Sequence, residues 1–158
     1  MKPIIVFYSY TGKTGLITKS MAEELQCEVK EIKEKKKRSI LGAYFMGGLA
    51  AMRGKESDIE PLNVDFTDKD LIIIATPVWA SSPVPAINSF ISKIDFKDKN
   101  VVLLFSAAGG DDKKASVMLT DRINKKGGRV LTHHGFKTSG TSEEALIAQA
   151  QDIARLYK

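Results

Sequence analysis

Seven residues near the N-terminus, Ser9-Tyr10-Thr11-Gly12-Lys13-Thr14-Gly15, have the types and spacing to hold an anion. Ser9, Thr11 and Thr14 supply hydroxyls. Gly12 and Gly15 let the backbone turn tightly, so that its N–H groups point inward. Together with the start of a helix at Thr14, such groups suit a dianionic phosphate. Lys13 either adds charge or faces solvent. The run is not a Walker A motif, which needs a glycine five residues before Gly-Lys-Thr, where this chain has Phe7. Nor is it Gly-x-Gly-x-x-Gly.

Two further stretches could handle a flat ligand. Pro77-Val78-Trp79-Ala80 contains the only tryptophan. Its ring either stacks on a planar group or folds back on a neighbouring helix. Ser106-Ala107-Ala108-Gly109-Gly110 is built of small residues that let a ligand approach the backbone closely. Asp111 and Asp112 follow and read as capping or solvated groups that lie within reach of a ligand. No Ser–His or Cys–His arrangement has a supporting partner. His133 and His134 are adjacent in a strand pattern and point to opposite faces, one under a helix and one toward solvent. The lone cysteine, Cys27, reads as filler at a strand start.

The elements that would position these stretches alternate along the chain. Ile4–Tyr8 is an apolar, branched run, the signature of a strand buried on both faces. Ile17, Met21 and Leu25 then recur every four residues, as on a helix. Cys27–Ile32 alternates as an edge strand. Ser39–Arg53 reads as a helix capped by Ser39, with Leu41, Phe45, Leu49 and Met52 on one face and Gly47-Gly48 marking a break or a close contact. Leu71–Thr76 reads as the central strand, stopped by Pro77, with a loop to Pro85. Ser82 would cap, and Pro83 open, the helix of Val84, Ile87, Ile91 and Ile94. Val101–Phe105 is a fourth strand, and 106–112 a loop. Ala115, Leu119 and Ile123 mark a helix closed at Gly127-Gly128. Arg129–Phe136 is the fifth strand. Ser142 opens a last helix with Leu146, Ala150, Ile153 and Tyr157 inward.

Five such repeats predict an α/β fold: a three-layer α-β-α sandwich, residues 1–158 as a single domain, around a five-stranded parallel sheet. With strand order 2-1-3-4-5, the loops after the first, third and fourth strands converge at the carboxyl ends of the strands, where ligands bind in open parallel sheets.

Composition narrows the partners. The chain has 158 residues, 43% of them hydrophobic, and a net charge of +5. No run is apolar over the roughly 20 residues that a membrane span needs. The start, Met1-Lys2-Pro3, leads into a strand pattern with no small-residue cleavage site, so the expectation is a cytoplasmic protein without a membrane partner. Positive charge concentrates in Lys33, Lys35, Lys36, Lys37 and Arg38, as a solvated surface or a docking site. No nucleic-acid-binding signature accompanies it.

These motifs resemble those of the flavodoxin-like family, short-chain type, over nearly the whole length. The specific stretches are Ser9–Gly15, Ile59–Leu62 with Asp68–Trp79, and Ser106–Gly110. The resemblance implies FMN as cofactor. Ser9, Tyr10, Thr11, Gly12, Lys13, Thr14 and Gly15 would surround its phosphate. Pro77, Val78, Trp79 and Ala80 would line one side of its ring, and Ser106, Ala107, Ala108, Gly109 and Gly110 the other edge. It implies a flavodoxin-type electron carrier working with a redox protein, here an acidic one because this chain is basic where family carriers are commonly acidic. Three features depart from the family pattern: that basicity, the absence of an aromatic residue from Ser106–Gly110, and the absence of a glycine from the Trp79 loop. They leave two alternatives: an NAD(P)H-dependent FMN or quinone oxidoreductase, and a non-redox binding domain on the same fold.

Overall fold

The computed structural model describes residues 1–39, 42 and 46–158. Five parallel strands form its centre: β1 (Pro3–Phe7), β2 (Glu28–Glu31), β3 (Leu71–Trp79), β5 (Asn100–Ala107) and β6 (Arg129–Lys137). Their order across the sheet is β2-β1-β3-β5-β6, the predicted 2-1-3-4-5 order of parallel strands. A sixth, two-residue strand, β4 (Ser82–Pro83), pairs antiparallel with the end of β3. The helices are α1 (Lys13–Leu25), α2 (Gly48–Met52), α3 (Pro85–Lys93), α4 (Lys113–Lys125) and α5 (Glu143–Arg155).

Strand alternation divides the core in two. Ile4, Val6, Ile72, Ile74, Leu103 and Phe105 face α3 and α4, where Ile87, Phe90, Leu119 and Ile123 meet them. Ile5, Phe7, Ile73, Ala75, Val102 and Leu104 face α1 and α5, where Ile17, Met21, Leu146 and Ala150 meet them. Each fully buried large side chain contributes about 1.5–3 kcal/mol, so both layers are held firmly to the sheet. β1, β3 and β5, buried on both faces, supply most of this core. Their carboxyl ends are therefore a rigid platform.

Four local expectations are corrected. Pro77 does not stop β3, which runs on to Trp79. Ala75 turns its carbonyl toward β1, accepting from Tyr8 N at 3.1 Å. Pro77, two residues on, turns its nitrogen to the same side, beyond the last β1 pair of Phe7 with Ala75. Its missing N–H therefore costs no ladder bond. Second, Ser82 and Pro83 are strand rather than cap and first turn. The helix begins at Pro85, behind an extended Val84. Third, Ser106 and Ala107 belong to β5, so the third loop begins at Ala108. Fourth, of the helix expected over residues 39–53, the described residues show Gly42 in α-helix, Met46 and Gly47 in a π-helical turn and Gly48–Met52 as α2. Gly42 N donates to Ser39 Oγ at 3.0 Å, as the cap requires. Leu41 and Phe45 lie outside the described residues. Leu49 and Met52 are exposed, and Gly48 and Ala51 take the buried positions.

The two histidines part as alternation requires. His134 Nε2 lies 2.7 Å from the Tyr157 hydroxyl under the C-terminal segment, and His133 is half exposed, 3.7 Å from Asp112. Cys27 is half-buried, and burial pushes its thiol up to about 11.

Candidate functional site

The Ser9–Gly15 turn is built around one side chain. Ser9 Oγ accepts from Gly12 N and Gly15 N, each at 3.2 Å. Gly12 takes φ 95°, a left-handed conformation that a side chain would strain, and α1 starts from it. With the Gly12 and Gly15 N–H groups tied to Ser9, those of Lys13 and Thr14 take no acceptor among the described residues. These are first-turn donors of the kind that bind anions. Lys13, with Ser9, Thr11, Gly12 and Gly15, lines a cavity of about 480 Å³, and the buried Thr14 lies behind that lining.

Thr14 is placed differently from the other hydroxyls. It is buried, and its Oγ1 lies 2.7 Å from Ser106 Oγ. The Thr14–Ser106 pair thus pins the turn to the end of β5. Lys13 Nζ reaches Glu143 Oε1 at 3.5 Å across the start of α5. An anion in the turn would compete with Glu143 for that ammonium.

A second cavity, about 280 Å³, adjoins the first and shares Tyr10, Thr11 and Lys13 with it. Pro77, Val78, Trp79, Ala80, Ser106, Ala108 and Thr138 line it, with Pro77 and Ser106 as register neighbours on β3 and β5. This slot thus joins an indole to small residues at the ends of the two strands. The remaining expected residues fall outside its lining: Ala107 is buried in β5, while Gly109 and Gly110 sit beyond the strand end. Gly48 and Thr138 line the slot and were not expected. The Gly47-Gly48 pair was the only sign of such an approach. Thr138 gave none, because it follows β6 as an ordinary polar residue.

Trp79 is held from several directions. Tyr8 and Tyr10 meet its ring edge-on, with centroids 6.1 and 5.7 Å away. The Arg38 guanidinium lies 5.9 Å from its ring centroid, within reach of a cation–π contact. A Cβ on Gly47 would come within 2.8 Å of Trp79 Cζ3, so only glycine fits there. Arg38 is in turn fixed by Glu34, through Nε at 3.1 Å from both carboxylate oxygens and Nη2 at 3.0 Å from Oε1. Tyr8 OH donates to Glu34 Oε2 at 2.9 Å. Burial, and then the Glu34 carboxylate, push the Tyr8 hydroxyl well above its ordinary value, so it stays a donor. The basic run thus reaches the slot through Arg38, a contact that charge counting alone did not reveal.

The hairpin that carries Trp79 is tight. Trp79 pairs with Ser82 across Ala80 and Ser81, whose φ values of 48° and 59° are those of a type I′ turn. Neither is glycine, so the site's rim holds two residues in a region that side chains disfavour. Among the described residues no group of three His, Cys, Asp or Glu side chains could hold a metal ion. No described helix is long and apolar enough to cross a membrane.

No family model matches the sequence, and no curated protein does. Solved structures do. A flavoprotein of Lactobacillus acidophilus, crystallised in complex with FMN, superposes with a TM-score of 0.74 at 23% identity, covering 84% of this chain and 91% of that one. A protein of Bacteroides eggerthii, provisionally assigned as a flavoprotein, gives 0.78 at 18% identity over 97% and 98%. Oxidised flavodoxin 1 of Bacillus cereus gives 0.63 at 17% identity over 98% and 95%. The agreement covers 84–98% of this chain, so the architecture is established: the chain has the flavodoxin-like fold.

Proposed function

We propose that the chain binds FMN and works as a flavodoxin-type carrier of electrons for a protein partner. The observation that carries this reading is the adjacency of the two cavities. A turn whose Lys13 and Thr14 N–H groups take no acceptor among the described residues shares Tyr10, Thr11 and Lys13 with a slot lined by the only tryptophan. A phosphate at one end of a ligand and a flat ring at the other match that shape, and the solved neighbour with FMN has the same fold.

The residues present fit the group. Lys13 N, Thr14 N and the Thr11 hydroxyl can donate to phosphate oxygens, while Ser9 keeps the turn in shape. The Lys13 ammonium adds charge. Trp79 offers its indole to one side of the ring, and Ala108 and Thr138 border the other. The bound flavin would supply the redox chemistry. The chain's part is to bind it, orient it and set the field around it. Glu143 offsets the charge of Lys13 and Glu34 that of Arg38, so Lys13 acts on a bound anion to the extent that the anion draws it from Glu143.

Titrating the purified apoprotein with FMN tests the reading. Stoichiometric quenching of flavin fluorescence, with a shift of Trp79 emission, is expected. Free-flavin fluorescence that persists at micromolar protein would overturn it.

One observation favours a second reading, an NAD(P)H-dependent reductase. Ala108 and Gly109 are exposed, and nothing among the described residues lies within 4 Å of a Cβ built on Gly109. A second planar ligand would meet no aromatic cover there. Anaerobic mixing of FMN-loaded protein with NADPH separates the two: stoichiometric bleaching supports the reductase, and an unchanged spectrum supports the carrier.

A further inference from the structure

Met46, Leu49 and Met52 are 72%, 47% and 53% exposed, and they fall within seven residues of one another. The other exposed large apolar side chains, Met1, Val117, Leu131 and Leu156, sit singly on separate elements. Scattered exposure is ordinary, but a cluster marks an interaction surface. This one is seated on the slot. Gly47 packs against the Trp79 ring, Gly48 lines the slot, and a Cβ on Gly48 would touch Ala80 Cβ at 3.8 Å.

The basic run borders the same place. Arg38 and Gly47 both contact the Trp79 ring, Arg38 at 5.9 Å from its centroid and Gly47 at the Cζ3–Cε3 edge. Lys35 is tied to the segment that follows α2, through its N–H to Asp58 O at 2.9 Å and its Nζ to Asp58 Oδ1 at 3.3 Å. Between Lys33 and Glu60 the chain carries seven basic and four acidic side chains. Two of the acids are spent on Arg38 and Lys35. Lys36, Lys37, Arg53 and Lys55 make no ion pair among the described residues.

We propose that Met46, Leu49 and Met52, together with the exposed Lys36, Lys37, Arg53 and Lys55, form the docking surface for an acidic electron-transfer protein, which meets the chain over the Trp79 wall; this rests on the carrier reading. An apolar centre with a charged rim is how transient protein interfaces are built, with the rim setting approach rate and partner choice. Methionines adapt to more than one partner surface. A second copy of this chain is disfavoured, because a two-fold contact brings both lysine runs together.

The test uses the ¹⁵N-labelled chain, with and without FMN, and an acidic [2Fe–2S] ferredoxin as probe. Amide shifts confined to residues 35–38 and 46–55 and the Trp79 indole are expected at about 0.01 M salt, with at least a tenfold loss of affinity at about 0.5 M. Lys36→Glu with Lys37→Glu and Lys55→Glu, all exposed and unpaired, should abolish the shifts and leave FMN titration unchanged. Met46→Ser with Leu49→Ser should weaken binding at both salt concentrations. No shifts with ferredoxin, equal shifts with basic cytochrome c, shifts at the β6 edge instead, or the same shifts with phosphatidylglycerol vesicles would each overturn the proposal, as would self-association through the patch in sedimentation. The apoprotein arm needs no flavin. Docking that survives a failed FMN titration would therefore sink the carrier reading alone.

Discussion

The two ends of the site are built on opposite plans. The anion turn is local: Ser9 ties Gly12 and Gly15 within seven residues, and two distant side-chain contacts, Thr14 with Ser106 and Lys13 with Glu143, anchor it. The Trp79 wall is assembled from afar. Tyr8 comes from just past the end of β1, Tyr10 from the anion turn, Glu34 and Arg38 from the segment after β2, Gly47 from the approach to α2, and Trp79 itself from the β3–β4 hairpin. A local device fails locally. A composite one spreads any loss over every segment it joins, and that difference is measurable.

Glu34→Ala should have the largest effect. It strips two partners at once, leaving the Tyr8 hydroxyl and the Arg38 guanidinium unmatched in a mostly dry setting. Removing one member of a buried pair costs about 3 kcal/mol, and Arg38 would no longer be held over the indole. Denaturant unfolding should show that loss, and Trp79 emission should shift in the folded protein. Unchanged emission would mean that the wall does not depend on its ion pair.

Gly47→Val acts on the same wall through sterics alone. Its Cβ would overlap Trp79 Cζ3, so either the ring or the segment before α2 must move. Overpacking of this kind costs about 1–3 kcal/mol. A narrowed slot should weaken FMN by about tenfold or more. Wild-type affinity in this variant would show that the indole is not a fixed wall.

Ser9→Ala should touch only the turn. Two N–H groups lose their acceptor but can be reached by water, so the cost is about 1 kcal/mol. Amide exchange at Gly12 and Gly15 should quicken, FMN affinity should fall several-fold, and Trp79 emission in the apoprotein should stay put. If that emission moves as far as it does in Glu34→Ala, the two ends are not separable and the contrast collapses.

The same contrast explains what could be read in advance. The turn was legible because its residues are consecutive and their types state their conformation: glycines where φ must be positive, hydroxyls where donors and acceptors must meet. The sheet was legible because β1, β3 and β5 are continuous apolar runs that only a doubly covered strand tolerates. The wall was not. Nothing in Lys33–Arg38 distinguishes Arg38, which packs on the indole, from Lys36 and Lys37, which face solvent, because that outcome depends on where Glu34 and Tyr8 lie after folding. Pro77 misled for a related reason. A proline forbids a ladder bond only where a neighbouring strand is present to accept one, and β1 has already ended there.

Ser81→Gly is the smallest change and the finest probe of the hairpin that carries Trp79. Ser81 holds φ 59° at the second central position of a two-residue turn, where glycine is the preferred residue. A left-handed conformation costs a side chain about 1–2 kcal/mol, and glycine removes that cost while adding freedom to the unfolded chain worth about 0.4–1 kcal/mol. The net should be a gain of a few tenths to about 1 kcal/mol. Strained backbone at a rim is retained when it fixes a functional group. The stabilised variant should therefore keep Trp79 emission but hold FMN more weakly, because a glycine lets the hairpin relax in the bound protein. A variant that gains stability with no loss of affinity would show that the turn's strain has no part in setting the indole wall.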